Sequence, residues 1–106
     1  MTGYFEPDGT RTLEPSGIVS ECIEHGFRAV LLDESTLPPD FFDLSTRVAG
    51  ELLHKMSLYG IRLAAVIPDP DAHSGPFRDF VREANRGRQF RFFATRPEAI
   101  DWLQTR

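Results

Sequence analysis

Two apolar stretches of this chain run straight into carboxylates. Arg28–Leu32 leads to Asp33 and Glu34, and Ile61–Ile67 leads to Asp69 and Asp71, with His73 close behind. If both stretches are strands and lie side by side, these oxygens converge on one rim. Hard oxygen ligands suit Mg²⁺, and a carboxylate beside an imidazole suits general-base chemistry. The plain alternative is that loops after strands are polar and that Asp favours turns, above all in Asp69-Pro-Asp71. No spacing rule makes the set specific for either use.

A second set is cationic. Arg78, Arg82, Arg86, Arg88, Arg91 and Arg96 are six of the twelve basic residues, gathered in a short span. Arg82, Arg86 and Arg88 are the candidates for an anion, because a guanidinium binds phosphate in bidentate fashion. Asp79, Glu83 and Glu98 dilute the cluster, as on an ordinary solvated face. The net charge of −4 argues against nucleic acid, and an acidic protein surface is the more expected partner of the arginines.

A third candidate is Asp40-Phe-Phe-Asp-Leu-Ser-Thr46, which opens the second predicted helix. Ser45 or Asp43 is placed to cap that helix, and a phosphate on Ser45 or Thr46 would meet free N–H groups and a favourable dipole. Phe41 and Phe42 either tuck into the core or form an exposed interaction patch. His54 falls on a polar helix face with no second ligand at helical spacing. Cys22 falls on an apolar face, where a cysteine is usually a small buried hydrophobe. Neither a Gly-rich phosphate loop nor a nucleophile elbow is present.

These residues need a scaffold, and 106 residues suit one domain able to bury roughly two-thirds of its unfolded surface. Apolar residues make up 41%, and nine are Phe, which fill volume efficiently. A single cysteine excludes an internal disulfide. The longest unbroken apolar run, Leu63–Ile67, is far too short to span a membrane, and no signal region follows Met1. The expected location is cytoplasmic, with no membrane association and no cofactor.

Four helices are predicted. The first starts at Ser16, carries Ile18, Val19, Cys22 and Ile23 on one face, and leaves through Gly26. The second spans roughly Asp43–Tyr59. Val48, Ala49, Leu52, Leu53, Met56 and Tyr59 share its inner arc, while Arg47, Glu51 and His54 lie largely opposite. Arg47, Glu51 and Lys55 sit at ion-pair spacing. The third starts at Ser74-Gly-Pro76, with Phe77, Phe80, Val81 and Ala84 inward. The fourth opens at the capping box Thr95-Arg-Pro-Glu98. Strands are expected at Arg28–Leu32, Ile61–Ile67 and Phe90–Ala94. The turn Glu6-Pro-Asp-Gly9 could close a small hairpin over residues 3–13. The order ββαβαβαβα implies a single α/β domain over residues 1–106, with a mixed, mostly parallel sheet.

Several segments then match a known pattern. Leu37-Pro-Pro-Asp-Phe-Phe-Asp-Leu-Ser-Thr-Arg47, Ala49-Gly-Glu-Leu-Leu53, Lys55, Tyr59, Leu63-Ala-Ala-Val66, Phe80-Val-Arg-Glu-Ala-Asn85 and Glu98-Ala-Ile100 resemble the bacterial domain-of-unknown-function family 4180. The likeness covers about residues 17–103; His54 and Leu58 depart from a Gln and an Asn. It implies a small bacterial α/β domain and brings no activity with it. More loosely, the element order resembles the STAS fold of anti-sigma-factor antagonists, which are switched by phosphorylation where a helix begins. Ser45 would be the matching residue and Thr46 the second. The resemblance implies a non-catalytic regulatory or protein-interaction module, with a protein partner or a homodimer. The alternatives are a metal- or ligand-dependent enzyme using the strand-end carboxylates, and an anion-binding protein using the arginines.

Overall fold

The structure is a computed structural model that describes residues 4–6, 15–37, 39–69, 72–73 and 75–104. Helix α1 (Pro15–Glu24) leads to strand β1 (Ala29–Asp33), and three short 3₁₀ turns follow, Glu34–Thr36, Pro39–Phe42 and Leu44–Thr46. Helix α2 (Val48–Leu58), strand β2 (Arg62–Val66), helix α3 (Gly75–Ala84), strand β3 (Phe90–Phe93) and helix α4 (Arg96–Gln104) complete the chain.

The three strands form one sheet in the order β1-β2-β3, and both pairings are parallel. This is the α/β class expected, with all described pairings parallel rather than mixed. Leu31 pairs with Ala64, and Ala64 with Arg91. Sequential order with right-handed crossovers puts α2 and α3 over the same face. There Ile18, Cys22, Leu52, Met56, Phe77 and Val81 close over Val30, Leu32, Leu63, Ala65 and Phe92. Helix α4 covers the other face, where Ala99 and Leu103 meet Ala29, Leu31, Ala64 and Val66. Burial on both faces explains why Ala29–Leu32 of β1 and Leu63–Val66 of β2 read as unbroken apolar runs.

Helices α1 and α2 end alike. Gly26 (φ 75°) and Gly60 (φ 65°) take left-handed conformations. Phe27 N–H then donates to Cys22 O at 2.9 Å, and Ile61 N–H to Met56 O at 2.9 Å. These are the wrapped carbonyl bonds of a glycine-terminated helix, and they turn the chain directly into the next strand.

Three expectations need correction. Helix α2 begins at Val48, not Asp43, because the Thr46 hydroxyl donates to the carbonyls of Asp40 (2.6 Å) and Asp43 (2.7 Å), and Arg47 then turns left-handed at φ 66°. Ile23 and Tyr59 do not join the core: they are 52% and 58% exposed. Tyr59 lies past the last helical residue, so the helical period no longer places it. The proposed pairing of Arg47, Glu51 and Lys55 is not formed among the described residues. Of the proposed hairpin, Thr10–Leu13 lies outside the described residues, while Phe5 forms a parallel bridge to Val30 on the outer edge of β1. Helix α1 begins at Pro15, so Ser16 lies within the helix and not at its start, while Ser74 lies outside the described residues and α3 begins at Gly75. No helix among the described residues is long and apolar enough to cross a membrane.

Candidate functional site

The strand-end carboxylates separate into two pairs. Asp33 closes β1 and lies 3.9 Å from the Arg96 guanidinium, which also binds Glu6 bidentately. That hydrogen bond to Glu6 raises the Arg96 pKa above its ordinary value. Glu34 turns the other way. The 3₁₀ turn Glu34–Thr36 is tied by Thr36, whose buried hydroxyl donates to Asp33 O at 2.8 Å and accepts from Asp33 N–H at 3.1 Å. Glu34 Oε1 thereby meets His73 Nε2 at 2.7 Å.

His73 is only 18% exposed. Its ring stacks on Phe42 with centroids 4.2 Å apart and meets the edge of Phe77 at 5.2 Å. Asp69 is exposed, and its carbonyl accepts Ala72 N–H at 3.1 Å. Asp71 lies outside the described residues. No three metal-binding side chains come together among the described residues. A shallow cavity of about 370 Å³ lies beside Asp33, Glu34, Ser35, Val66 and Pro68.

The arginines disperse. Arg82 lies 3.7 Å from Asp79 on α3, and Arg86, in the turn after that helix, lies 3.6 Å from Glu83, all four exposed. Arg88 is exposed in the bend that leads to β3. Arg91 instead crosses to the α4 side, donating to Gly87 O at 2.9 Å and sitting 5.8 Å from the Trp102 ring.

The segment before α2 is built differently from the expected cap. Phe41 is fully buried, with Phe77 at 6.0 Å and Phe92 at 6.3 Å, so it offers no exposed ring. Phe42 is half-buried against His73. Ser45 is exposed; its hydroxyl and its amide both donate to Asp43 Oδ1, at 2.6 and 3.1 Å. These bonds lower the Asp43 pKa, the hydroxyl contributing most. They close the 3₁₀ turn and do not reach α2, so neither Ser45 nor Asp43 caps that helix.

A further concavity was not anticipated. A groove of about 570 Å³ runs between the outer side of α2 and α3, lined by Leu44, Arg47, Gly50, Glu51, His54 and Phe80. Two of its residues are locally unfavourable. Arg47 is the only non-glycine at positive φ among the described residues. Gly50 sits inside α2, where glycine is the poorest ordinary helix former. A Cβ built on Gly50 would meet nothing within 4 Å, so packing within the chain does not require glycine there. The side chains of Arg47, Glu51 and His54 form no hydrogen bond or ion pair among the described residues.

The family described as Domain of unknown function (DUF4180) matches residues 10–103. This chain belongs to that family. No curated protein and no solved structure matches it, and a STAS-like fold is not shown. The DUF4180 span contains every residue of the groove and both members of the Glu34–His73 pair, and leaves out Glu6.

Three other structural residues escaped the sequence. Arg62 is half-buried and donates to the carbonyls of Trp102 (3.1 Å) and Leu103 (3.4 Å), with its guanidinium 4.2 Å above the Trp102 ring. Its only signal is a lone charge in an apolar run. Asn85 takes both backbone groups of Phe92, accepting from its N–H at 2.8 Å and donating to its carbonyl at 3.4 Å. Gln89 donates to the carbonyls of Met56 (3.3 Å) and Ile61 (3.4 Å). Asn85 and Gln89 have no local signal, since their partners are set by how the elements pack.

Proposed function

We propose that this DUF4180 domain is a non-catalytic regulatory module that works by binding another protein in the groove between α2 and α3. The observation that carries the reading is the coincidence of Gly50 and left-handed Arg47 in one groove. Each costs on the order of 1 kcal/mol relative to an unstrained alternative, and at Gly50 packing inside the chain does not require the missing Cβ. A missing Cβ and an unpaired charged rim are what a docking partner uses.

The test is affinity capture from a lysate of the host cell with immobilised wild type and with Gly50→Leu. The leucine fills the groove and is a better helix former than glycine, so loss of binding cannot be attributed to unfolding. A protein retained by the wild type and lost with the variant supports the reading. Equal retention by both, or none by either, sinks it.

A further inference from the structure

Residues 4–6 sit on the sheet as a peptide ligand would. Phe5 N–H donates to Ala29 O and Phe5 O accepts Leu31 N–H, both at 2.8 Å, which makes a parallel bridge opposite Val30 on the outer edge of β1. The side chains alternate as in a strand. Tyr4 is buried on the α4 face among Ala29 and Leu31. Phe5 turns to the other face, where its ring stacks on His25 at 5.8 Å and meets Phe27 at 5.9 Å. Glu6 returns to the α4 side and is held bidentately by Arg96, the first residue of that helix. Main-chain bonds for affinity, with separate seats for alternate side chains, are the elements of strand addition.

The seat and its occupant differ in origin. The family match covers residues 10–103, so β1, His25, Phe27 and Arg96 belong to the shared domain and residues 4–6 do not. The seat takes an aromatic, a second aromatic and an acid in parallel register, and the sequence that fits it here is Tyr4-Phe5-Glu6. A second copy carries that same sequence. Exchanging an identical segment between two copies keeps every one of these contacts and closes a two-fold dimer. A segment tethered to its own seat competes at about millimolar effective concentration. The exchanged form therefore gains as the protein is concentrated, or as the pairing within one chain is broken.

We infer that the outer edge of β1 is a strand-docking seat that takes residues 4–6 of a second copy in place of the chain's own, giving a dimer by reciprocal exchange. No residue of the seat lines the groove between α2 and α3, so the two surfaces are independent.

Charge reversal separates the closed form from the exchanged one. Glu6→Lys meets Arg96 with a like charge in its own chain, and Arg96→Glu does the same to Glu6. Mixed one to one, the two variants restore both opposite pairs in an exchanged dimer, which neither can do alone. Sedimentation equilibrium of the full-length chains should show the mixture dimerising about tenfold more tightly than either variant or the wild type. Both side chains are partly exposed, and circular dichroism of each variant checks the fold. Hydrogen exchange of the wild type gives a second reading. Leu31 N–H is bound to Phe5 O and Leu63 N–H to Gln89 O. Leu31 should exchange about tenfold faster than Leu63, because the segment leaves while the sheet stays closed. A mixture no more dimeric than its separate variants overturns the inference, as does a Leu31 amide that exchanges only as slowly as Leu63. A mixed dimer that persists when Phe5→Gly is built into both chains also overturns it, since that dimer does not use the seat.

Discussion

Replacing Gly50 with alanine should stabilise the protein, and the size of the effect can be worked from the structure. Gly50 lies in the third position of α2, and alanine is favoured over glycine in a helix interior by about 1 kcal/mol. Nothing lies within 4 Å of the added methyl, so no clash reduces that gain. For a chain of this size the melting temperature should rise by about 4–6 °C, with an unchanged urea m-value. Thermal unfolding followed by circular dichroism measures it. The controls come from the same fold. Gly26→Ala and Gly60→Ala place a side chain at φ 75° and 65° and should each destabilise by about 1–2 kcal/mol, although open space surrounds both. If Gly50→Ala is neutral or destabilising, the glycine serves the chain itself and the case for an occupant of the groove collapses.

Arg62→Met keeps the apolar stem but removes the two carbonyl bonds and the ring contact at the end of α4. It should cost about 2 kcal/mol by urea titration, followed at the single Trp102, and a loss below 0.5 kcal/mol on that scale would refute the clamp. Ser45→Ala removes the main cause of the lowered Asp43 pKa. A carboxyl NMR titration should show Asp43 moving up toward the ordinary range, and an unmoved midpoint would contradict the bond. In the wild type, the contribution of Asp43 is present above its unfolded pKa and is lost as pH falls through the depressed folded value. Burial pushes the Cys22 thiol up to about 11, so the folded protein should resist alkylation at pH 8, with the thiol reacting only through unfolding. Because the unfolded thiol ionises at lower pH than the folded one, stability should fall above the ordinary thiol pKa and stop falling near pH 11.

What was legible in the sequence is what short-range physics determines. Gly26 and Gly60 mark helix ends because only glycine takes the left-handed turn at little cost, and both occupy it. The strands were readable because burial on two faces leaves runs such as Leu63–Ile67 free of polar residues. The start of α2 was not readable. Its true boundary depends on Thr46 bonding back to Asp40, six residues earlier, and on a left-handed residue that is arginine rather than glycine. The site shows the same division. Glu34 and His73 were both candidates, yet their pairing depends on a 3₁₀ turn that swings Glu34 away from Asp33. The groove was invisible because Phe80 reaches it from a different helix, and because a mid-helix glycine acquires meaning only when the space above it is known to be empty.

Sheet edges explain why a partner should come to the helices at all. A parallel sheet of three strands has two edges, and each ordinarily offers unpaired backbone groups to another chain. On β1 the edge is met by Phe5, whose N–H donates to Ala29 O at 2.8 Å and whose carbonyl accepts Leu31 N–H at 2.8 Å. On β3 it is met by Asn85, whose amide binds Phe92 on both its N–H and its carbonyl, as a neighbouring strand would. A dimer or partner that extended the sheet at β3 would have to displace Asn85 first. The sheet faces are covered as well, one by α4 and the other by α1, α2 and α3. Replacing Asn85 with leucine should therefore do two things that separate the surfaces. It strands the Phe92 N–H and carbonyl, costing about 1–3 kcal/mol, and it opens the hydrophobic edge Phe90–Phe93 to association. Light scattering should show concentration-dependent self-association of Asn85→Leu while binding at the Gly50 groove is retained. Loss of groove binding in a folded Asn85→Leu monomer would mean that the edge, and not the helical groove, is where this domain meets its partner.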